Sequence, residues 1–333
     1  MLMPRPGDGQ GDAASGNIVM TSAVPTLSIV CPIHNEEEAL PGFFAELLPL
    51  LEASGETHEI LCINDGSRDA SLTVLQSYQQ RHPQIRVIDL SRNFGKEAAL
   101  SCGLDLARGQ AVVPIDADLQ DPPELIIDML RVWRQGFDVV LAQRTDRSQD
   151  SLLKRKTAEW FYRFHNLISE PPIPPNVGDF RLLDRKVVDA LKQLPERRRF
   201  MKGLFAWVGF RQATLPYARR VRTAGESKFS GWRLWNFALE GITSFSTAPL
   251  RIWAYLGLSI ALLAFLFGLF IIGHTLMYGR DLPGYASMIT VVLFLGGIQL
   301  IGLGMLGEYI GRIFSETKGR PIYIIREPDQ DAP

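Results

Sequence analysis

The chain has 333 residues, which leaves room for one sizeable domain and a smaller addition; 46% of the residues are hydrophobic and 21% are charged. The net charge of −1 at pH 7 excludes a nucleic-acid binder that relies on overall positive charge. The three cysteines stand far apart and form no CxxC pair, which argues against a zinc site or a redox motif.

The first 25 residues predict a disordered tail, because they are rich in Gly, Pro, Ala and Ser and lack the apolar stretch of a signal peptide. From residue 26 onward, short apolar runs alternate with amphipathic segments. We predict strands at 27–31, 59–63, 85–90, 111–115 and 138–142, and helices at 36–51, 70–81, 96–108 and 123–135. This alternation predicts an α/β domain with a mostly parallel sheet covered on both faces by helices.

Polar clusters follow three of the predicted strands. They are His34-Asn35-Glu36 after the first strand, Asn64-Asp65-Gly66-Ser67 after the second and Asp116-Ala117-Asp118 after the fourth. Ligands of such sheets bind beyond the carboxyl ends of the strands. We therefore expect the three clusters to meet at one edge of the sheet and form a site.

Two long apolar runs lie near the end of the chain, at about 252–277 and 285–306. Each exceeds the ~20 residues that a helix needs to cross a bilayer, and no Asp, Glu, Lys or Arg interrupts either. The short turn-forming segment 278–284 makes them a hairpin, so we expect two transmembrane helices within 251–311 and a cytoplasmic tail at 312–333. Basic residues flank the outer ends of the hairpin, which predicts a cytoplasmic N-terminal domain.

Three strings carry a resemblance to a known family. Pro32-Ile33-His34-Asn35-Glu36-Glu37, Asn64-Asp65-Gly66-Ser67-Arg68-Asp69 and the string from Asp116 through Asp121-Pro122-Pro123-Glu124 resemble the family 2 glycosyltransferases with a GT-A fold. The last string is especially similar to dolichol-phosphate mannose synthases and bacterial bactoprenol glucosyltransferases. The resemblance covers about 26–327. It implies a cytoplasmic GT-A nucleotide-sugar-binding (Rossmann-like) domain at 26–230, an interfacial helix at 231–250 and the transmembrane hairpin.

The resemblance also implies where the nucleotide would bind. The residues that match the family's nucleotide site are Pro32, Asn35, Glu36, Asp65 and Asp116. Local alternatives stay open for two of them. Asp65 before Gly66 could form an Asx turn, and Glu36 could be a first-turn acid that favours the helix dipole.

A divalent cation, Mg²⁺ or Mn²⁺, is expected beside the nucleotide diphosphate. In the family's pattern Asp118 holds the metal and Gln120 adds an amide oxygen. Hard cations prefer such oxygen ligands, and a cation would neutralise the leaving diphosphate as a Lewis acid. An ordinary strand-end loop is the alternative interpretation of the Asp-x-Asp spacing.

The second half of the implied site is the segment Gly178-Asp179-Phe180-Arg181, in which Asp179 matches the family's proposed catalytic base. A phosphate monoester is largely dianionic at pH 7, since its second pKa is about 6, and it needs no base. Orienting the sugar or stabilising positive charge at its C1 carbon is therefore an alternative role, and a turn-capping loop aspartate is another.

Basic residues should hold the acceptor phosphate. The candidates are Arg144 after the fifth strand, Arg155, and Lys228 in a string that matches a family loop; Lys228 and Arg144 are also placed with Asp179 in the catalytic set. A solvated surface position is the alternative for each. The segments at 152–168 and 232–245 mix aromatic and basic residues, so they suit the headgroup region of a membrane or, alternatively, packing against the domain.

The resemblance implies inverting transfer of one sugar from a nucleotide diphosphate sugar, UDP-glucose in our interpretation, to undecaprenyl phosphate. The site would face the cytoplasm from the inner membrane. The string at 195–203 departs from the Gln-x-x-Arg-Trp motif of processive synthases, which favours one transfer per acceptor. Alternatives are mannosyl transfer from GDP-mannose to dolichyl phosphate, transfer of an aminoarabinose derivative, and a non-catalytic membrane scaffold. Glycines in the second apolar run permit close helix contacts, and we expect a homo-oligomer.

Overall fold

The computed structural model describes residues 24–145, 176–197, 199–218, 220, 248–278 and 284–326. Its strands are β1 Leu27–Ile33, β2 His58–Asn64, β3 Ile85–Asp89, β4 Ala111–Pro114, β5 Val139–Arg144, β6 Val177–Asp184 and β7 Gln212–Tyr217. Its helices are α1 Leu40–Ser54, α2 Ser71–Arg81, α3 Lys96–Leu106, α4 Leu125–Trp133, α5 Arg185–Lys192, α6 Met201–Trp207, α7 Ala248–Tyr278 and α8 Tyr285–Thr317. The N-terminal tail before residue 24 and the segments at 152–168 and 232–245 lie outside the described residues.

The sheet has the strand order β3-β2-β1-β4-β6-β5-β7. β1 runs parallel to β2 and to β4, and β2 runs parallel to β3. β6 is inserted antiparallel between β4 and β5, and β7 lies parallel to β5 at the edge. The predicted α/β class is confirmed. β6 and β7 are strands that the sequence pattern did not reveal.

Two hydrophobic cores cover the two faces of the sheet. Along β1, Leu27, Ile29 and Cys31 face the core formed with α1, α2 and α4, and Val30 faces the core formed with α3, α5 and α6. Strands buried on both faces are expected to be hydrophobic at nearly every position, as β1 is. Contact between α3 and β1 is close, since a Cβ atom placed on Gly103 would lie 2.1 Å from Cγ1 of Val30.

The first helix begins later than its pattern predicted. α1 starts at Leu40 with Pro41 in its first turn, where a fixed φ and a missing N–H are tolerated. Glu36 therefore precedes the helix, and no acidic residue lies in its first turn. The interpretation of Glu36 as a first-turn acid is wrong.

Both helices of the C-terminal hairpin are long and apolar enough to cross a membrane, over Trp253–Tyr278 and Met288–Thr317. Large apolar side chains such as Phe265 stand exposed on them, at 63% of the free side-chain surface in that case. A contiguous apolar surface of this kind is unfavourable in water. The two helices approach at Gly302, where a Cβ atom would lie 2.2 Å from Nε1 of Trp253.

The segment after α8 returns to the α/β domain. Ile325 forms an isolated antiparallel bridge with Leu90, directly after β3. The guanidinium of Arg326 lies 3.2 Å from the Asp89 carboxylate, and its backbone N–H donates to the carbonyl of Asp89. Residues 324–326 thus bond to the backbone at the carboxyl end of the edge strand β3.

Candidate active site

A cleft of about 980 Å³ opens at the edge of the sheet where β1, β2 and β4 end. The predicted site residues that line it are Pro32, Glu36, Asp65, Asp116, Asp118, Gln120, Arg144 and Asp179. Arg155 and Lys228 lie outside the described residues. The three clusters that follow separate strands therefore do converge on one place.

Asp179 reaches this edge because β6 runs antiparallel to its neighbours. An antiparallel strand begins at the edge where parallel strands end, and Asp179 is the third residue of β6. Its carboxylate thereby joins that of Asp116, which follows β4. Strand direction, rather than proximity in sequence, brings the two acids together.

Lys96, the first residue of α3, connects the two carboxylates. Its Nζ atom lies 2.7 Å from Oδ2 of Asp116 and 3.1 Å from Oδ2 of Asp179. Desolvation of the ammonium lowers the pKa of Lys96, but the two carboxylates more than offset this, and the net pKa is raised. Lys96 is therefore a permanent cation at the centre of the cleft.

Asp179 is held in its ionised form. Burial by itself would raise its pKa, but the charges of Lys96, Lys202 and Arg181 outweigh burial and lower the pKa. Oδ2 accepts from Lys96, while Oδ1 has no hydrogen-bond partner among the described residues. A carboxylate with a lowered pKa is a weak base, and this one lines the cleft with its Oδ1 atom buried.

Glu97, next to Lys96, is a second acid of this cluster with the opposite behaviour. Burial, followed by repulsion from Asp179, raises the pKa of Glu97 to about 7. A hydrogen bond from the backbone N–H of Met201 (3.2 Å) and the charges of Lys96 and Lys202 limit that rise. Two neighbouring acids with pKa values displaced in opposite directions are typical of functional sites.

Asp65 has a structural contact that the sequence did not predict. Its carboxylate accepts from the backbone N–H groups of Phe94 (2.7 Å) and Gly95 (2.9 Å), ahead of α3. The Asp65 carboxylate therefore bonds to a distant loop and does not form the Asx turn with Gly66 that was the alternative interpretation. Gly66, at φ +59°, allows the same loop to approach, since a Cβ atom there would lie 2.5 Å from the backbone N of Asn93. Asp65 thus fixes the loop that carries Lys96, and its contact with the nucleotide stays a prediction.

Asn35 does not line the cleft. With φ at +55°, its backbone N–H donates to Oγ of Ser67 (3.0 Å), and its side-chain oxygen accepts from the N–H of Arg68 (2.8 Å). These bonds join the loop after β1 to the loop after β2. The contact of Asn35 with the nucleotide stays a prediction.

Arg144 is oriented by the strand that the sequence missed. Its Nε atom donates to the hydroxyl of Tyr217 on β7 (3.1 Å), and that hydroxyl donates to the buried carboxylate of Asp121. Burial, and next the charge of Asp121, raise the pKa of Tyr217 to about 12, so the hydroxyl stays protonated. Gly178 leaves room for the guanidinium, since a Cβ atom there would lie 3.3 Å from Nη2 of Arg144.

The oxygen atoms around Asp118 suit a hard divalent cation whose coordination shell is completed by oxygen atoms of the substrate. Oδ1 of Asp118 accepts from the N–H of Gln120 (3.2 Å), with Leu119 at φ +56° between them. Among the described residues, no group of three or more His, Cys, Asp or Glu side chains could hold a metal ion. Mg²⁺ is commonly bound by one or two carboxylates together with substrate phosphates, which fits this donor set.

Sequence reasoning missed Lys96, Glu97, Lys202 and Tyr217. The rule that located the other clusters could have located the first two, since Asn93-Phe94-Gly95-Lys96-Glu97 follows the third strand as the others follow theirs. Lys202 and Tyr217 belong to elements that come together only in the folded chain.

Comparison with known proteins finds the same family that the motifs at the strand ends resemble. Residues 28–192 match the model of Glycosyl transferase family 2, and residues 248–313 match that of the GtrB C-terminal hairpin. The SfII prophage-derived bactoprenol glucosyl transferase of Shigella flexneri is 53% identical over 92% of this chain and 99% of its own. The prophage bactoprenol glucosyl transferase homolog of Escherichia coli K12 is 53% identical over 90% of this chain and 98% of its own. An uncharacterized glycosyltransferase of Synechocystis is 54% identical over 90% of this chain and 95% of its own.

Proposed function

This chain belongs to glycosyl transferase family 2, and from that premise we propose that it transfers one glucosyl group from UDP-glucose to undecaprenyl phosphate. Relatives named bactoprenol glucosyl transferases, similar over both the α/β domain and the hairpin, support a polyprenyl phosphate acceptor. The observation that carries the proposal is the cleft in which Lys96 joins Asp116 and Asp179.

We propose a single in-line displacement at the anomeric carbon. An oxygen of the acceptor phosphate forms the new bond to C1 while the bond from C1 to the diphosphate oxygen breaks, and UDP leaves. An α-linked donor gives a β-linked product. The acceptor is largely dianionic at pH 7, because the second pKa of a phosphate monoester is about 6, so no proton has to be removed.

Asp179 would act electrostatically in this step rather than as a base. Its lowered pKa keeps it ionised, so the negative charge that it brings to the cleft can stabilise the positive charge that develops at the sugar C1. The ion pair with Lys96 fixes the carboxylate in one orientation. Preorganised charge of this kind needs no rearrangement when the reaction occurs.

The proposed metal is Mg²⁺ or Mn²⁺, held by Asp118 and the amide oxygen of Gln120. When bound, it would neutralise charge on the leaving diphosphate as a Lewis acid. What supports the proposal is that Asp118 and Gln120 both line the cleft after β4, together with Arg144, which Tyr217 orients and which we propose for the acceptor phosphate.

We further propose that the hairpin anchors the enzyme in the inner membrane, with the α/β domain on the cytoplasmic side. Basic residues flank the outer ends of both helices. Gly304, Gly307 and Gly311 of α8 meet no other side chain within 4 Å in the described part of the chain. Close contact with the helices of a second copy is therefore our proposal for the expected homo-oligomer.

The test uses the purified full-length chain in detergent, with radiolabelled UDP-glucose, Mg²⁺ and undecaprenyl phosphate. We expect label in the extracted lipid, and a β-linked product by NMR. GDP-mannose and dolichyl phosphate are tested in parallel as alternative donor and acceptor. Preference for either, or an α-linked product, would contradict the corresponding part of the proposal.

A further inference from the structure

Lys202 lines the cleft from a helix that the family motifs do not include. It is the second residue of α6 and is half-buried. The other two basic residues of the cleft are engaged, Lys96 by two carboxylates and Arg144 by Tyr217. In the described part of the chain, Lys202 forms no hydrogen bond and no salt bridge with a protein group.

The position of Lys202 is nevertheless fixed. Its neighbour Met201 is buried and donates its backbone N–H to Glu97. The loop before α6 is held from another side, because the N–H of Arg197 lies 3.1 and 3.2 Å from the two carboxylate oxygens of Glu316, at the end of α8. The lysine therefore stands on a helix secured both to the cleft and to the apolar hairpin.

The charge of Lys202 already acts on two acids of the cleft, since it lowers the pKa of Asp179 and limits the rise of the Glu97 pKa. Because its ammonium forms no hydrogen bond or salt bridge with a described residue, its donors can bind an anion that enters the cleft. Sugar hydroxyls are neutral, whereas both proposed substrates bring phosphate groups. Lysine is a common phosphate ligand, since it acts as a compact point charge with three donors.

We infer that Lys202 binds a substrate phosphate in this cleft. The inference rests on the proposed function, which supplies two sources of that chemistry: the lipid phosphate and the nucleotide diphosphate. It adds a phosphate-binding residue to the site. That residue lies in the string at 195–203, whose sequence by itself served only to distinguish this chain from processive synthases.

The experiment measures equilibrium binding to the full-length chain in detergent by calorimetry, so it requires no turnover. The probes are farnesyl phosphate, farnesol as its phosphate-free counterpart, and UDP with Mg²⁺. The variants are Lys202→Met and Lys202→Arg. Lys192→Met is the matched control, since Lys192 is an exposed lysine of α5 whose ammonium, among the described residues, bonds only to the backbone carbonyl of Asp105.

We expect Lys202→Met to lower the affinity for one of the two phosphate probes by about tenfold or more, because a charge-assisted hydrogen bond is lost. Farnesol binding and the Lys192→Met variant should be unchanged, and Lys202→Arg should recover most of the affinity. A lower affinity for farnesyl phosphate would identify the acceptor phosphate as the ligand of Lys202, and a lower affinity for UDP would identify the nucleotide diphosphate.

Unchanged affinity for both phosphate probes in Lys202→Met would overturn the inference. An equal loss for farnesol would also overturn it, because the lysine would then act on the cleft's shape. If the Lys202→Met variant melts at a lower temperature, its weaker binding could come from a less stable fold. The Lys202→Arg variant then decides: wild-type affinity for the phosphate probe supports the inference, and an equal loss of affinity contradicts it. A wild-type chain that binds these probes but transfers no sugar would instead contradict the proposed function alone.

Discussion

The ion pair between Lys96 and Asp179 gives the sharpest prediction. Lys96→Met leaves two carboxylates without their shared cation, and Asp179→Asn removes one of those carboxylates at constant shape. If Asp179 acts through its fixed charge, each single change should lower kcat/KM strongly. The double variant should lose much less than the product of the two effects, because the second change removes a group whose partner is already gone.

The geometry sets the expected coupling. The two charged atoms are 3.1 Å apart, and the side chains are 46% exposed for Lys96 and 19% exposed for Asp179. Exposed ion pairs contribute ~0.2–1 kcal/mol to the free energy of unfolding, and breaking a buried ion pair lowers it by ~3–5 kcal/mol. With one partner half-exposed, we discount the buried value and expect a coupling of ~1–2 kcal/mol. This corresponds to a departure from multiplicative kinetics of about 5–30-fold.

The assay is a double-mutant cycle on kcat/KM for sugar transfer, with melting temperature followed in parallel. The control cycle uses Arg131→Met and Asp128→Asn, a pair on α4 at 2.6 Å whose side chains are 69% and 52% exposed. That pair is as close but largely solvated, so its coupling should stay below ~0.5 kcal/mol. Multiplicative effects for Lys96 and Asp179 would refute the idea that they act as a unit.

Three further predictions address the metal, the packing and the pH dependence. Asp118→Asn should abolish transfer without lowering the melting temperature, and EDTA should do the same to the wild type; full activity in EDTA would argue against the metal. Gly103→Ala should destabilise the domain by about 1–3 kcal/mol, because the new Cβ atom would lie 2.1 Å from Val30, and an unchanged melting temperature would contradict this. Glu97 has a pKa of about 7, above its ordinary 4.5, so stability that is present below pH ~4.5 is lost as the pH rises toward 7. Glu97→Gln keeps the neutral form and the acceptor for Met201, and it should therefore gain stability over the wild type, by ~1–3 kcal/mol, between pH 5 and pH 8. A difference in melting temperature that does not change with pH would show that Glu97 is not titrating there.

Much of the α/β domain was predictable because its signals are local. Apolar strands alternate with amphipathic helices, and polar strings follow the strands, so Asp65, Asp116 and Asp118 could be assigned to one edge of the sheet before any coordinates were known. Errors arose where local signals conflict. Glu36 resembled a first-turn acid, but α1 starts at Leu40, with Pro41 in its first turn.

The partners of each site residue were not predictable from local patterns. The Asp65 carboxylate bonds to the loop at Phe94 and Gly95, and Arg144 depends on Tyr217, which is 73 positions away in the chain. Hydrogen bonds over such separations depend on strand order, which a sequence pattern constrains only loosely.

The sequence by itself determined the class of the fold, the two long apolar helices and the chemistry available at the ends of the parallel strands. These follow from the spacing of apolar residues, and that spacing acts over a few neighbours. Only the tertiary structure decided that Asp179 meets Asp116 across Lys96 and that Lys202 faces the same cleft. The physical reason is the antiparallel insertion of β6, which reverses one strand's direction and brings its beginning to the edge where its neighbours end.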